Sequence, residues 1–424
     1  MTPLLSRVTD ALERAKARPD RSAIFTQLDA TRILSEARHQ QARADAGEDL
    51  PLFGILISVK DLFDEAGQVT GAGSRLLATR SPATEDSTVV ARLRHAGAVM
   101  FGRTSMSEFA YSGVGLNPHH GTPSSVLVPG VIPGGSSSGG AVSVGLGLVD
   151  AAIGTDTGGS LRIPATANGL WGMKPSQGLI PDAGIHPLAP SYDTPGPMAR
   201  DADTLCRVLS VMAGARIAPQ PAERLRLAVP QGAFTNDLSR DMAEWFDRET
   251  ARLSAAGHHL QPVDMARIGA GIGLNRIIVA VEAHRLYAAD LDRLQTLGDP
   301  RVLSRIRFAE TLSAQQIDDA YAERADLVRV FRQTMEGFDA LLAPALSMMP
   351  PTIAAVEADF DRLNAAMLRN TSLVNLIDGC AIVFPSPGAT PAWSLTMLAG
   401  VHGADAALIG AALRLSPAGV SELV

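Results

Sequence analysis

Lysine is nearly missing from this 424-residue chain: it occurs only at positions 16, 60 and 174, and arginine supplies every other basic side chain. Arginine is effectively always charged, whereas a desolvated lysine can give up its proton, so each of the three lysines asks for a reason. Cysteine is as scarce. Cys206 and Cys380 are too few for a disulfide framework or a thiolate metal site, which points to a reducing cytoplasm. Aromatic residues make up 4% and charged residues 19%, and acidic side chains outnumber basic ones 44 to 37, for a net charge of −7. Such a surface offers few base-stacking platforms and repels a phosphate backbone, so no direct nucleic-acid ligand is expected. The most apolar run, AVSVGLGLVDAAIG, is interrupted by Asp150 and falls short of the roughly 18 residues that a membrane span needs. Charge at Arg7 and Asp10 comes before any secretory apolar stretch. The expectation is a soluble cytoplasmic protein without membrane attachment.

With 46% hydrophobic residues the chain can bury a substantial core. Apolar residues at helical spacing predict amphipathic helices over 2–17 and about 21–46. FGILISV (53–59) and AGAVMFGR (96–103) read as strands flanking the helix-like VVARLRHA, an alternation that indicates α/β architecture. Residues 112–140 are dense in Gly, Pro, Ser and Asn and read as a long irregular segment, the kind that carries function in compact enzymes. A buried helix follows from Ala141, then strands at AAIGTDT and GLWGMKPS. The stretch 205–345 reads as mostly helical, with strands at RLRLAVPQ, HLQPVD and DALLAPAL. No repeat, low-complexity tract or charged linker divides the chain. One large domain is the simplest account: N-terminal helices (1–50), a core (53–203), a mostly helical region (205–345) and a C-terminal return to the sheet (346–424).

Residues 134–165, GGSSSGGAVSVGLGLVDAAIGTDTGGSLRIPA, hold the chemistry. Two serine-bearing glycine turns bracket a helix and a strand, with Ser136 and Ser160 separated by 24 residues. Glycines before a serine let several backbone N–H groups face one way and leave the hydroxyl unobstructed, as an oxyanion hole requires. A tight surface turn is the bland alternative for Thr157, Gly158, Gly159 and Ser160, but this turn follows an apolar strand, where open α/β sheets build their sites. Ser136, Ser137 and Ser138 could cap a helix, although one cap needs one serine. Lys60 could be a snorkelling strand-end lysine, yet a snorkelling cation could as well have been arginine. A serine nucleophile needs a base, and a neutral lysine in a dry pocket can serve. Lys174, beside Pro175, reads as structural, and none of the nine histidines is tied by spacing to a serine turn. His119 and His120 read as solvent-facing or backbone-bonded.

At these residues the chain resembles the amidase signature family, whose members use a Ser, cis-Ser, Lys triad. The resemblance rests on GGSSSGG, GTDTGGSLRIPA and the 24-residue interval together, with VKDLFDEAG supplying the lysine. GRTSMSEFAYSG, LNPHHGTPSS, GLWGMKPSQGLIP and PSYDTPGPMARD follow in order, and a weaker RNTSLVNLIDGCAIVFP lies near the C-terminus; strong cover runs from about Phe53 to Asp203. The resemblance implies a single α/β domain with a central mixed sheet covered by helices on both faces. It implies Ser160 as nucleophile, Ser136 as bridging serine after a cis peptide bond, and Lys60 as base, with the amides of Thr157, Gly158, Gly159 and Ser160 as the oxyanion hole. Asp156, Arg162 and Ser137 would support the loop, Asp156 and Arg162 either as an ion pair or as independent surface charges. Tyr111, Ser112 and Gly113 would line the acyl pocket. No metal or organic cofactor is needed.

The expected reaction is hydrolysis of a small carboxamide to an acid and ammonia or an amine, by a stand-alone enzyme that could form a homodimer. Low charge over the recognisable half favours a neutral or aryl amide without excluding a dicarboxylic monoamide. A glutaminase subunit of an amidotransferase would carry the same triad. An α/β-hydrolase esterase is a third reading, since GSSSG (135–139) satisfies G-x-S-x-G with Ser137 central and His402 as a late histidine. Pro129 and Pro133 interrupt the strand that such an elbow needs.

Overall fold

The computed structural model describes residues 2–220, 223–386 and 393–416. Its described residues form one mixed sheet of 11 strands, flanked by helices. In chain order the strands are β1 (Phe25–Gln27), β2 (Leu56–Lys60), β3 (Val99–Thr104), β4 (Ala151–Thr155), β5 (Trp171–Lys174), β6 (Pro195–Ala199), β7 (Arg226–Gln231), β8 (His259–Asp264), β9 (Ala340–Pro344), β10 (Cys380–Pro385) and β11 (Leu395–Gly400). Their spatial order is β1-β3-β2-β4-β6-β5-β10-β11-β9-β7-β8. β2 pairs in parallel with β3 and β4, and β7 with β8 and β9; the strands between β4 and β9 run antiparallel to their neighbours.

The central strands are apolar on both sides because both faces are covered. Successive residues alternate between two cores: Ile57, Val59, Ala151 and Ile153 enter one, Leu56 and Ala152 the other. The first core is closed by the helix Ala202–Ala213, through Leu205, Val208, Leu209 and Met212. Helices Pro3–Ala17 and Ser138–Gly145 close the second, through Leu4, Val8, Ala141, Val142 and Val144. No helix among the described residues is long and apolar enough to cross a membrane.

Two local readings are corrected. The helix expected over 21–46 is broken: Arg21–Ile24 is a single turn, β1 pairs antiparallel with β3, and a new helix starts at Ala30, capped by the Asp29 carboxylate. Phe25 is buried there against Phe101, so tertiary packing overrides the helical periodicity. β6, sequence PGPMA, carries no strand signal of its own. β5 pairs with it only at Met198 and Ala199, leaving Pro195 and Pro197 outside that ladder, where their missing N–H groups do no harm.

Candidate active site

β2 and β4 are adjacent, parallel and in register at Val59 and Ile153, so Lys60 and the loop after Thr155 emerge at the same carboxyl edge. That edge is where open α/β sheets place their ligands. The helix Ser138–Gly145 crosses both strands, held by a 2.9 Å bond between Ser58 Oγ and Ser143 Oγ. The two glycine turns touch one another: Gly134 packs on the backbone of Ile163 and Pro164, and Gly154 faces Ser137. Any Cβ at either glycine would collide with these neighbours.

Lys60 is fully buried. Its Nζ lies 2.8 Å from Ser136 Oγ, 3.1 Å from Thr155 Oγ1 and 3.4 Å from the Thr155 carbonyl. Burial pushes its pKa down to about 7, although the Asp193 and Asp156 carboxylates pull it upward. The Gly135–Ser136 peptide bond is cis. Ser136 does not cap the following helix, because its hydroxyl is engaged by Lys60. Ser137 occupies the cap position without a capping bond, its buried Oγ unpartnered among the described residues. Ser138 Oγ reaches the Ser105 carbonyl.

Ser160 lines a cavity of about 520 Å³ together with Thr157 and Gly158. Asp156 and Arg162 form a two-bonded ion pair at 2.8 and 3.0 Å, both side chains wholly buried, so the reading as independent surface charges is excluded. Burial alone would raise the Asp156 pKa; the Arg162 guanidinium and the Asn375 amide outweigh it and hold it at about 2. The Asp156 carboxylate also accepts from the Gly159 and Leu161 amides. The Gly159 N–H is committed to Asp156 Oδ1 at 2.8 Å and so does not take the oxyanion-hole role expected of it; the Thr157, Gly158 and Ser160 amides have no acceptor among the described residues.

Residues from far along the chain complete the loop. Asn375 Nδ2 donates to Asp156 Oδ1, its Oδ1 accepts from Arg162 at 2.6 Å, and Thr371 Oγ1 donates to the Gly158 carbonyl. Both belong to the helix Phe360–Leu376. Asp193 braces the loop from beneath, accepting from Thr157 Oγ1 at 2.5 Å and from the Leu188 and Ala189 amides at 2.8 and 3.0 Å. Burial pushes its pKa up to about 6, against the lowering effect of these bonds and of Lys60. Sequence reasoning missed Asp193, Thr371 and Asn375, although PSYDTPGPMARD and RNTSLVNLIDGC contain them.

Tyr111 and Ser112 line the cavity; Gly113 does not, and its amide donates to Asn364 Oδ1. Arg276, Arg305 and Arg369 also line it, so the pocket is not the uncharged one suggested by the low charge of the first half. Lys174 Nζ bonds the Pro175 and Gly379 carbonyls, a bracing position. His119 is not solvent-facing: its Nε2 lies 3.0 Å from the buried Glu108 carboxylate. Residues 132–136, before Ser137, form no strand, so the nucleophile elbow is missing, and His402 pairs instead with Asp378 at 3.2 Å.

The Amidase family model matches residues 6–390. The 2-amino-5-chloromuconic acid deaminase of Comamonas testosteroni is 32% identical over 96% of this chain and 90% of its own length. A glutamyl-tRNA(Gln) amidotransferase subunit of Burkholderia pseudomallei is 32% identical over 81% of this chain and 78% of its own length. A crystal structure of an amidase superposes with a TM-score of 0.90 at 29% identity, covering 98% of this chain and 96% of that one. With serine-bearing glycine turns, sheet and whole-chain likeness in agreement, the chain belongs to the Amidase family and is an amide hydrolase.

Proposed function

We propose that the chain hydrolyses a small carboxamide through an acyl-enzyme on Ser160, with Ser136 and Lys60 as proton relay. The observation that carries the reading is the pairing of a dry Lys60, its pKa near 7, with Ser136 at 2.8 Å, beside a turn that presents Ser160 to a cavity. Neutral Lys60 takes the Ser136 proton while Ser136 takes that of Ser160, whose oxygen bonds to the substrate carbonyl carbon. The carbonyl oxygen becomes an oxyanion facing the Thr157, Gly158 and Ser160 amides. Ser136 protonates the departing nitrogen as the C–N bond breaks and regains its proton from Lys60. Water, deprotonated by the same relay, then releases the carboxylic acid and restores Ser160. Asp156 and Arg162 fix the turn and exchange no proton.

The test is acylation by a fluorophosphonate probe, read by mass spectrometry of the intact protein and of the peptide carrying Ser160. Labelling at Ser160, lowered by orders of magnitude in Lys60→Ala, supports the relay; labelling at Ser137 or none at all overturns it.

A second reading, a glutaminase component of an amidotransferase assembly, draws on the likeness to the glutamyl-tRNA(Gln) amidotransferase of Burkholderia pseudomallei. Amide hydrolysis by the purified chain, as monomer or homodimer, separates the two: an autonomous enzyme turns over alone, a component only with its partners.

A further inference from the structure

We infer that the substrate is an amide bearing a carboxylate, held by Arg276 and Arg305 while its amide group lies at Ser160. The inference rests on the proposed role of Ser160 as nucleophile and adds the chemistry of the remainder of the molecule.

The wall of the cavity carries three arginines and one carboxylate, Asp361, in a chain whose net charge is −7. That imbalance runs against the composition, so it belongs to the pocket. Arg305 is the most enclosed, with 19% of its side chain exposed. It donates to the Tyr111 carbonyl and stands 4.7 Å from the Phe360 ring centre. Its carboxylate neighbour, Asp361, is 3.8 Å away and almost wholly in solvent, too loosely held to neutralise it. Burial therefore lowers the Arg305 pKa, though an arginine keeps its charge. Arg276 stacks 3.9 Å over the Phe308 ring and makes neither an ion pair nor a hydrogen bond among the described residues. Two planar cations, oriented by rings and short of counter-charge, match the bidentate geometry that a carboxylate accepts.

Arg305 is also preset. It lies on the helix Pro300–Arg307, whose cap residue Asp299 donates its amide to Glu108 Oε2 at 2.6 Å. Glu108 and Tyr111 therefore hold this helix near both ends, and Tyr111 itself lines the cavity. An arginine fixed before the ligand arrives loses little further freedom on binding. Leu188, Val279 and Leu368 supply apolar wall, so the substrate carries a short hydrocarbon body between amide and acid. The matching chemical class is the monoamide of a dicarboxylic acid.

The experiment compares kcat/KM for succinamate, glutaramate and adipamate with butanamide, pentanamide and hexanamide, alongside fluorophosphonate labelling of Ser160. At least one acid amide is expected to exceed its neutral counterpart by roughly 10- to 100-fold, the scale of charge-assisted hydrogen bonds. That preference is expected to fall by about 10-fold or more in Arg276→Gln and in Arg305→Gln. Arg276 is exposed, so its variant tests the idea even if Arg305→Gln fails to fold. In the unaltered enzyme the KM of the acid amide should rise with salt while that of the neutral amide stays level. Labelling without any preference for an acid amide overturns the carboxylate inference alone; a preference that survives in Arg276→Gln removes Arg276 from the subsite. Failure of the probe to label Ser160 overturns instead the catalytic reading beneath it.

Discussion

Replacing Asp193 by asparagine should move the acid limb of the activity profile to lower pH. The proposed relay needs Lys60 neutral. At its ordinary pKa of 10.5, roughly three parts in ten thousand would be neutral at pH 7; at the value near 7 that burial produces, about half is. Burial therefore raises the neutral fraction of this one amine about a thousandfold at pH 7. Asp193 and Asp156 are the carboxylates that pull the Lys60 pKa upward, Asp193 more strongly. Acylation by a neutral probe should accordingly rise with pH through about 7 and level off above it. Without the Asp193 charge the limb should fall by about one pH unit, the lower end of what a nearby opposite charge produces. Thr157→Val removes the Thr157–Asp193 bond, which helps to keep Asp193 ionised, so it should move the limb in the same direction by a smaller amount. Stopped-flow labelling from pH 5 to 9 reads both. A flat profile, or a limb that moves upward in Asp193→Asn, refutes the reasoning.

Gly159 adopts φ +134°, and a Cβ there would collide with Thr371 Oγ1 and Ile163, so Gly159→Ala should lower labelling of Ser160 by about 100-fold or more while circular dichroism stays near native. Asp156, held at about 2 in the folded chain against an ordinary 3.8, contributes stability that is complete above 3.8 and lost as pH falls toward 2. Asp156→Asn should remove that dependence, and at neutral pH it should cost about 3–5 kcal/mol by leaving Arg162 buried without its counter-charge. Urea unfolding at pH 7 and pH 3 measures both effects.

Much of the candidate site could be read from sequence because its parts advertise themselves locally. Gly158 and Gly159 before Ser160, three serines where one cap suffices, and a lysine in an arginine-rich chain are signals that need no knowledge of the fold. Asp193, Thr371 and Asn375 send no such signal: each is an ordinary polar residue until the fold carries it to Thr157, Gly158 and Asp156. The same holds for Arg276 and Arg305, whose importance lies in their shortage of counter-charge. Among the strands, β2, β3 and β4 announce themselves by apolar runs, whereas β6 hides behind two prolines and β1 inside a helical pattern.

Asn375 and Thr371 also give the enzyme an order of assembly. The serine turn lies in the first half of the polypeptide, yet the side chains that clamp it come more than 200 positions later. A growing chain on the ribosome can display its alcohol, amine and glycines long before anything holds them in working order. An early stop ahead of residue 371 removes both clamps, so a truncated copy is expected to carry the serine turn without the bonds that fix it.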